Sequence, residues 1–339
     1  MPKIFAVLMK YDYGIKSRGY SYEYYNIYLP LSNAFGDENI ILFDFYSEYK
    51  SNGKDAMNKK LKGAIISEKP DIALFVLYED EFDEKTISSL QDFTKTVVYF
   101  IDDPWRIDYA KKWRKHFSFF TTPDYYMLKK YESQGIDNVI YSPFGFNENI
   151  YEKRELPIKY DVSFVGGYSP LRHWILKQLQ REDINVQVFG REWDGEKSWV
   201  SQDESVNIFN QSKINLNLSN AFIKDINFLF WCLTSPKTYK PLFFLKKNKE
   251  QIKGRHYEIN GCGGFQLSYF IPGLNLVYEI DKEIAVYEHI NQLAEEIKFF
   301  LKSDDLRVQI ADNGYKRSQK DHKASSYIKN VIDSILHNK

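Results

Sequence analysis

Apolar positions in this chain come in short runs separated by longer amphipathic stretches. Ile4–Met9, Ile40–Phe45, Ile72–Tyr78, Thr96–Ile101, Phe117–Thr121 and Val139–Ser142 read as strands. Between them Ser21 to about Ala34 (Ser21 as N-cap), Asp55 to about Lys69, Asp83–Phe93 and Tyr125–Gln134, closing at Gly135, read as helices. The loop Tyr11–Gly19 follows the first strand. Strand and helix in alternation predict an α/β domain with a parallel sheet covered on both faces.

Pro143 to Pro157 breaks that rhythm. It holds Phe144-Gly145-Phe146-Asn147 and the charged run Glu152-Lys153-Arg154-Glu155, and reads as a linker. A second α/β half then begins, with strands Val162–Val165, Val186–Phe189, Ile214–Leu218 and Phe265–Ser268. Helices are expected at Leu171 to about Arg181, Ser205–Ser212, Glu258–Cys262, Asn291–Lys302 and Asp304–Lys320. Phe222 to Tyr239 fits neither period. Ala324–Leu336 carries Ile328, Val331, Ile332 and Ile335 at helical spacing. The expected division is 1–150, 157–318 and a closing helical segment, 319–339.

At 339 residues the chain exceeds what one hydrophobic core usually supports, in keeping with two domains. Lysine and arginine together number 46, as do aspartate and glutamate, so no global field favours nucleic acid or an anionic membrane. Local basic patches remain open. Two cysteines make no disulfide framework, and the N-terminal run is too short for a signal peptide, so a cytoplasmic location is expected. No apolar stretch approaches the ~20 residues of a membrane span. Neither metal-ligand spacing nor a Ser or Cys nucleophile signature with its His is visible.

The densest chemical signal is Lys253-Gly254-Arg255-His256-Tyr257-Glu258 running into Gly261-Cys262-Gly263-Gly264-Phe265, with Glu250 seven residues before Glu258. Carboxylates accept paired hydrogen bonds from sugar hydroxyls, and glycine lets a backbone approach a ligand. The plainer reading is a glutamate in the first turn of a short helix, then a tight turn into a strand.

Several segments together resemble the CgeB-like glycosyltransferases. They are Tyr11-Asp12-Tyr13-Gly14 with Arg18-Gly19-Tyr20-Ser21-Tyr22-Glu23-Tyr24; Asp161 to Gly166; Ser212 to Asn217; Gly254 to Ile259 through Gly264-Phe265; and Asp304-Asp305-Leu306-Arg307 with Ile310-Ala311 and Gly314. Their order along nearly the whole chain is what carries the resemblance. It implies a GT-B fold, two Rossmann-like domains facing a cleft, with the donor held mainly by the C-terminal one and the acceptor by the N-terminal one. It also implies transfer of a sugar from a nucleotide-diphosphate donor (UDP, GDP or dTDP linked) to a glycan or small hydroxyl acceptor, in bacterial surface or spore glycan synthesis. No further cofactor, no metal and no nucleic-acid partner is expected. The paired glutamates resemble those of retaining members of the fold, which favours retention. The segment 222–249 matches no part of the pattern.

Glycosyl transfer must stabilise the leaving diphosphate, orient the acceptor and exclude water. Backbone N–H groups after Gly166 and Gly167, and in the turn with Gly263 and Gly264, suit the diphosphate. Arg172, Lys253, Arg255 and Lys213 suit it as cations. Glu258 suits the ribose and Glu250 the donor sugar. In the first half Gly14, Arg18 and Gly19 suit the donor phosphate, and Glu23, Trp105 and Arg106 the acceptor. Asp12, Asp102 and Asp103 are the general-base candidates should the reaction invert. Each has a plainer reading: a solvated helix residue for Arg172, a surface lysine for Lys213, a loop residue for Glu250, a helix cap for the two aspartates. Three rivals stay open: a metal-dependent transferase built on Asp102 and Asp103, a nucleotide-sugar epimerase of the same architecture, and a non-catalytic nucleotide- or glycan-binding module.

Overall fold

The computed structural model describes residues 1–193, 200–219, 221, 225–234, 238, 239, 247 and 249–337. The chain divides into two compact units, Met1–Asn147 with Lys323–Lys339, and Glu148–His322. Part of the unassigned segment 222–239 lies outside the described residues.

Unit 1 is built on six parallel strands: β1 (Ile4–Leu8), β2 (Ile40–Asp44), β3 (Ile72–Phe75), β4 (Lys95–Val98), β5 (Phe119–Thr122) and β6 (Val139–Tyr141), in the order β2-β1-β3-β4-β5-β6. Successive side chains of β1 enter opposite cores, as the two-residue period requires. Phe5 and Val7 join a cluster with Met57, Leu61, Ile87 and Trp113. Ile4, Ala6 and Leu8 face Ile27, Leu31, Ile328, Val331, Ile332 and Ile335. Those last four are the apolar stripe of the closing helix (Ala324–His337), which packs on α1 (Leu29–Phe35). Lys95 Nζ donates to the carbonyl of Ile335 at 2.8 Å, a cation at a helix C-terminus.

Two helices of unit 1 depart from the sequence expectation. Helix α2 spans Phe45–Glu68, starting ten residues early, because Asp44 caps it by accepting from the Ser47 N–H. Gly53, at φ 81°, breaks its interior. Helix α3 (Glu84–Leu90), capped by Asp83, falls within the expected Asp83–Phe93, whereas α4 (Ile107–Arg114) was foreseen only as an unplaced helix capped by the two aspartates and starts after Arg106 instead. Its charged surface, with Lys111, Lys112 and Arg114, masks the buried pair Ala110 and Trp113. Helix α5 (Tyr125–Ser133) lies between β5 and β6. Ser21 begins the segment ahead of α1, accepting from the Tyr24 N–H at 3.0 Å, and a π-helical turn over Tyr24–Tyr28 follows.

Unit 2 holds five parallel strands: β7 (Tyr160–Val165), β8 (Gln187–Phe189), β9 (Ser212–Asn217), β10 (Gln266–Tyr269) and β11 (Ala285–Tyr287), in the order β11-β10-β9-β7-β8. One core gathers Val162, Phe164, Trp174, Ile214, Leu267 and Leu293. Its helices are α6 (Pro170–Arg181), α7 (Gln202–Asn210), α8 (Ile226–Cys232), α9 (Gly254–Gly261), α10 (Leu274–Val277), α11 (Ile290–Lys302) and α12 (Asp304–Asp321); the closing helix of unit 1 is α13. Helix α6 opens on Pro170, capped by Ser169. A reciprocal Ser201–Glu204 capping box opens α7. Strand β11 and helix α10 are short and were not expected. Gly314 lets α12 settle on the rest of the unit: a Cβ there would stand 2.3 Å from the Glu283 carbonyl. Both cysteines are free and buried.

Candidate functional site

In unit 2, chain order reverses between β7 and β9, with β8 to one side and β10 and β11 to the other. Ligands of open α/β sheets bind beyond the carboxyl ends of the strands at such a point. Arg172, in the first turn of α6, spans it. Its Nε and Nη2 donate to the Leu218 carbonyl, just past β9, at 3.2 and 3.1 Å. Its Nη1 donates to the Gly167 carbonyl, just past β7, at 2.9 Å. The guanidinium lies 5.1 Å from the Phe164 ring centre. Arg172 is thus no solvated helix residue: it ties two strand ends together.

Gly166 and Gly167 form the turn from β7 into α6. A Cβ on Gly190 would fall 2.3 Å from the Gly166 carbonyl oxygen, so the turns after β7 and β8 approach as closely as backbones can. A Cβ on Gly167 would meet nothing within 4 Å, so space is open beside that residue.

Glu250, Lys253 and Arg255 lie where the chain enters α9, which runs antiparallel to the strands and so starts at the same sheet edge. Burial pushes the Glu250 carboxyl up, while Lys253, Lys247 and Arg172 pull it down. Both its carboxylate oxygens are shielded, with the Ala221 N–H and the Tyr269 phenol beside them. Burial, then Lys247, holds the Lys253 ammonium well below its usual range, Arg172 adding to the fall and Glu250 opposing it. Burial lowers the Arg172 guanidinium to about 10, with Arg255 contributing and Glu250 opposing. Each cation disfavours the charge of the next, which is the condition an anionic ligand relieves.

Tyr269 and Tyr287 end β10 and β11. Burial, then the charge of Glu250, pushes both phenols far up. They flank Glu250, yet sequence reading missed them, because β10 was expected to stop at Ser268 and β11 was not expected at all. A second aromatic group was also missed. Trp193 Nε1 donates to the Gly166 carbonyl at 2.8 Å, and Tyr168 and His173 pack edge-on against that indole, at 5.3 and 6.3 Å between ring centres. These three rings line a cavity of about 520 Å³ beside α6.

Glu258 sits at the fifth position of α9, not at its start, because the helix opens at Gly254, with the Lys253 N–H donating to His256 Nδ1 at 3.1 Å. That moves Arg255 one turn before Glu258, and the two pair at 2.9 Å. The carboxylate is buried, with the Tyr151 phenol beside it. The Arg255 guanidinium lies 4.9 Å from the Phe209 ring centre.

Three expected site residues lie elsewhere. The turn holding Gly263 and Gly264 closes α9 and enters β10 at the amino edge of the sheet, opposite Gly166 and Gly167. Gly264 is needed for packing, since a Cβ would stand 2.8 Å from Asn215 Nδ2 and 2.9 Å from the Phe209 carbonyl. Lys213 lies at that amino edge too, paired with Asp161 at 2.7 Å. These three are corrected from diphosphate ligands to structural residues: the parallel register puts them a strand length from Arg172.

In unit 1 the loop after β1 is closed by the Tyr11–Tyr20 bridge and by the Asp12 N–H donating to the Gly19 carbonyl at 3.1 Å. Gly14 and Gly19 both take positive φ, at 71° and 84°. The Arg18 guanidinium lies 5.9 Å from the Tyr13 ring centre. Burial pushes the Glu23 carboxyl up; Ser21 opposes this, and Asp12 and Asp102 add to it. Three carboxylates from the ends of β1 and β4 thus share one neighbourhood. Asp102 accepts from Trp105 Nε1 at 2.9 Å.

Asp103 is turned inward and only 1% exposed, accepting from Thr122 Oγ1 and Tyr131 OH, each at 3.1 Å. Burial raises its carboxyl to about 7. It is corrected from a general-base candidate to a buried structural acid. Arg106 donates to the Tyr78 carbonyl at 2.8 Å and lies 3.9 Å from the Tyr109 ring centre, so it joins the end of β3 to α4. Among the described residues no group of three or more His, Cys, Asp and Glu side chains is arranged to hold a metal ion.

A family model described as "Glycosyl transferase-like" matches residues 172–333, a span that begins at Arg172 and includes α9. No curated protein matches the sequence. Among solved structures, Anabaena Alr3699/HepE in complex with UDP-glucose superposes with a TM-score of 0.64 at 10% identity, over 98% of this chain and 99% of that one. Sucrose-phosphate synthase of Thermosynechococcus elongatus gives 0.65 at 10% identity, over 98% of each chain. A glycosyltransferase of Rickettsia africae gives 0.63 at 11% identity, over 99% of each. The two parallel sheets with their surrounding helices make this an α/β protein of the GT-B fold.

Proposed function

We propose that the protein is a glycosyltransferase that moves a sugar from a nucleotide-diphosphate donor to a hydroxyl acceptor. One observation carries this reading above the others. Arg172 and Lys253 gather around a buried acid, Glu250, at the carboxyl edge of the unit 2 sheet, and Arg255, paired with the buried Glu258, stands close enough to weaken the Arg172 charge. That cluster sets three basic side chains, Arg172, Lys253 and Arg255, against two carboxylates, Glu250 and Glu258, and lies at the switch point of an open sheet. A diphosphate supplies the missing negative charge, and the glycine turn before α6 adds backbone N–H donors. As the leaving group departs its charge grows, so the cations stabilise the transition state more than the bound donor. The family model and the complex of Alr3699/HepE with UDP-glucose support the same reading.

Within it, Glu250 takes the hydroxyls of the donor sugar, with Tyr269 and Tyr287 beside it. Glu258 is assigned to the ribose through Arg255. Trp193 and Tyr168 offer faces for the base. Asp12, Glu23 and Asp102 take the acceptor hydroxyl, with Arg18 and Gly19 toward the phosphate. Retention of anomeric configuration is the proposed outcome, supported by the Glu250–Glu258 spacing. The protein cations do the work that a metal does in other transferases. A place in the CgeB-like branch and a role in surface or spore glycan synthesis rest on the ordered motifs along the chain, and a cytoplasmic location on the two cysteines and the short N-terminal apolar run.

Calorimetric titration with UDP, GDP and dTDP, each with and without EDTA, tests this. Binding of one nucleotide, unchanged by EDTA and weakened at least tenfold in Arg172→Gln, is expected. A well-folded protein that binds none of the three sinks the reading. Conversion of a nucleotide sugar to its epimer with no acceptor present would replace it with the epimerase.

A further inference from the structure

Tyrosine gathers in a row on one surface of unit 1. Tyr11 and Tyr20 face each other across the bridge that closes the loop after β1, with 5.5 Å between ring centres and 14° between planes. Tyr20 stacks on Tyr24 at 4.3 Å and 18°, and Tyr24 on Tyr28 at 5.0 Å and 19°. Tyr20, Tyr24 and Tyr28 recur every fourth residue, as one stripe of the segment leading into α1. Asn26 and Ile27 of that segment turn into the core, whereas Tyr20 is 40% exposed and Tyr11, Tyr24 and Tyr28 are half-buried. Four phenols in line on a solvent-facing stripe are not the scattered single aromatics of an ordinary surface.

The hydroxyls of the row are open to a ligand. Among the described residues none of the four meets a hydrogen-bond partner. Burial, then Tyr20 and Tyr28, pushes the Tyr24 phenol up, and burial, then Asp37, that of Tyr28, so both stay neutral and can donate as well as accept. The frame beneath is fixed: the Asp12 N–H donates to the Gly19 carbonyl at 3.1 Å, the Ser21 N–H to the Lys10 carbonyl at 2.9 Å, and Tyr25 meets Tyr20 edge-on at 5.7 Å. The Lys10 and Lys16 ammoniums, each 5.6 Å from the Tyr11 ring centre, add donors at that end. This chemistry selects the occupant. Rings already stacked on one another leave little face for a nucleic-acid base, which binds by stacking. The row holds no Trp, Phe or Leu to enter the acyl boundary of a membrane. What it presents is a rail of hydroxyls and aromatic edges, repeating at roughly the length of one sugar unit, which matches a chain of sugars with hydroxyls around each ring. The rail begins beside Asp12 and passes Glu23, whose carboxyl feels the Asp12 charge.

We propose that Tyr11, Tyr20, Tyr24 and Tyr28 form an extended acceptor subsite, and that the acceptor is an oligosaccharide chain several sugars long rather than a small hydroxyl compound. This rests on the transferase reading above, in which Asp12 and Glu23 take the acceptor hydroxyl: the chain end lies at those carboxylates and its further sugars run along the row.

Fluorescence polarisation of the full chain with labelled malto-, cello-, manno-, xylo- and chito-oligosaccharides of one to six units tests it. In at least one series affinity should rise at least tenfold from the monosaccharide to the tetrasaccharide. The variant Tyr20→Phe/Tyr24→Phe/Tyr28→Phe keeps the stacked rings and removes three hydroxyls. It should lose that gain while its melting temperature and its affinity for nucleotide stay those of the wild type. Affinity that rises with length in no series overturns the proposal, as does a variant that keeps the gain. Nucleotide titration of the same samples separates the two readings. Protein that binds a nucleotide but shows no dependence on chain length loses this subsite alone. Protein that shows the length dependence but binds no nucleotide keeps the row as a glycan site and loses the transferase reading. Flotation with phosphatidylglycerol vesicles in place of sugar binding, lost in the same variant, would hand the row to a membrane.

Discussion

Asp103 and Glu258 show how much the fate of a carboxylate depends on its neighbours. Nothing in Asp102-Asp103-Pro104 distinguishes the two aspartates, yet Asp102 takes the Trp105 indole and Asp103 is sealed under Thr122 and Tyr131. Because the folded state holds the Asp103 proton up to about 7 and an ordinary aspartate lets go near 3.8, folding takes up a proton between those values. Stability contributed by this group is therefore full below the lower value and falls as pH rises through the window. Asp103→Asn should flatten that slope by an amount on the order of a few kcal/mol, read by denaturant titration across the window. A slope unchanged in the variant would show that Asp103 does not carry it.

Glu258 needs a different test. Truncation to alanine strands the Arg255 guanidinium, an outcome that costs ~3–5 kcal/mol in a buried pair and confuses folding with binding. Glu258→Gln keeps a hydrogen-bond acceptor, so it should fold and still weaken nucleotide affinity about tenfold, the worth of one charge-assisted hydrogen bond. Nucleotide affinity equal to wild type in the folded Gln variant would return Glu258 to a purely structural role.

At the scale of elements, the long apolar strands and the stripe of the final helix were legible because burial on both faces leaves continuous hydrophobic runs. Short elements were not. Strand β11 has three residues and α10 four, too few to show a period. The reach of α9 depends on Lys253 and His256 at its opening, contacts that residue propensity does not encode. That shift decides how Arg255 and Glu258 meet. The edge of the sheet to which a loop belongs was legible only once β10 and its register with β9 were fixed, which is why Lys213, Gly263 and Gly264 were grouped with Arg172.

Helix α13 carries a prediction of its own. Val331 and Ile332 are fully buried among β1, β3 and α1 residues. Val331→Ala/Ile332→Ala should destabilise unit 1 by ~3–6 kcal/mol through lost burial and residual cavity, seen as a lower melting temperature. Loss of less than about 1 kcal/mol would mean that the helix packs loosely.

At the scale of the whole molecule, two α/β units of one fold were legible from the strand–helix rhythm and the break at Pro143–Pro157. The chemistry was partly legible: Glu250, Lys253 and Arg255 stand in the densest chemical run of the chain, whereas Arg172 lies far from them in sequence and only the parallel sheet brings it to their edge. Tyr269 and Tyr287 were hidden among 26 tyrosines. The claim that joins these residues is that they hold a nucleotide sugar and release its nucleoside diphosphate.

The most direct test is to incubate the protein with UDP-, GDP- and dTDP-sugars and a mixed pool of hydroxyl acceptors, and to measure nucleoside diphosphate released alongside sugar transferred. The account predicts release from one donor class, matched by product, with Glu250→Gln at least tenfold slower at unchanged nucleotide affinity. Folded protein that neither binds nor consumes any donor, or a Glu250→Gln variant as fast as wild type, would contradict it.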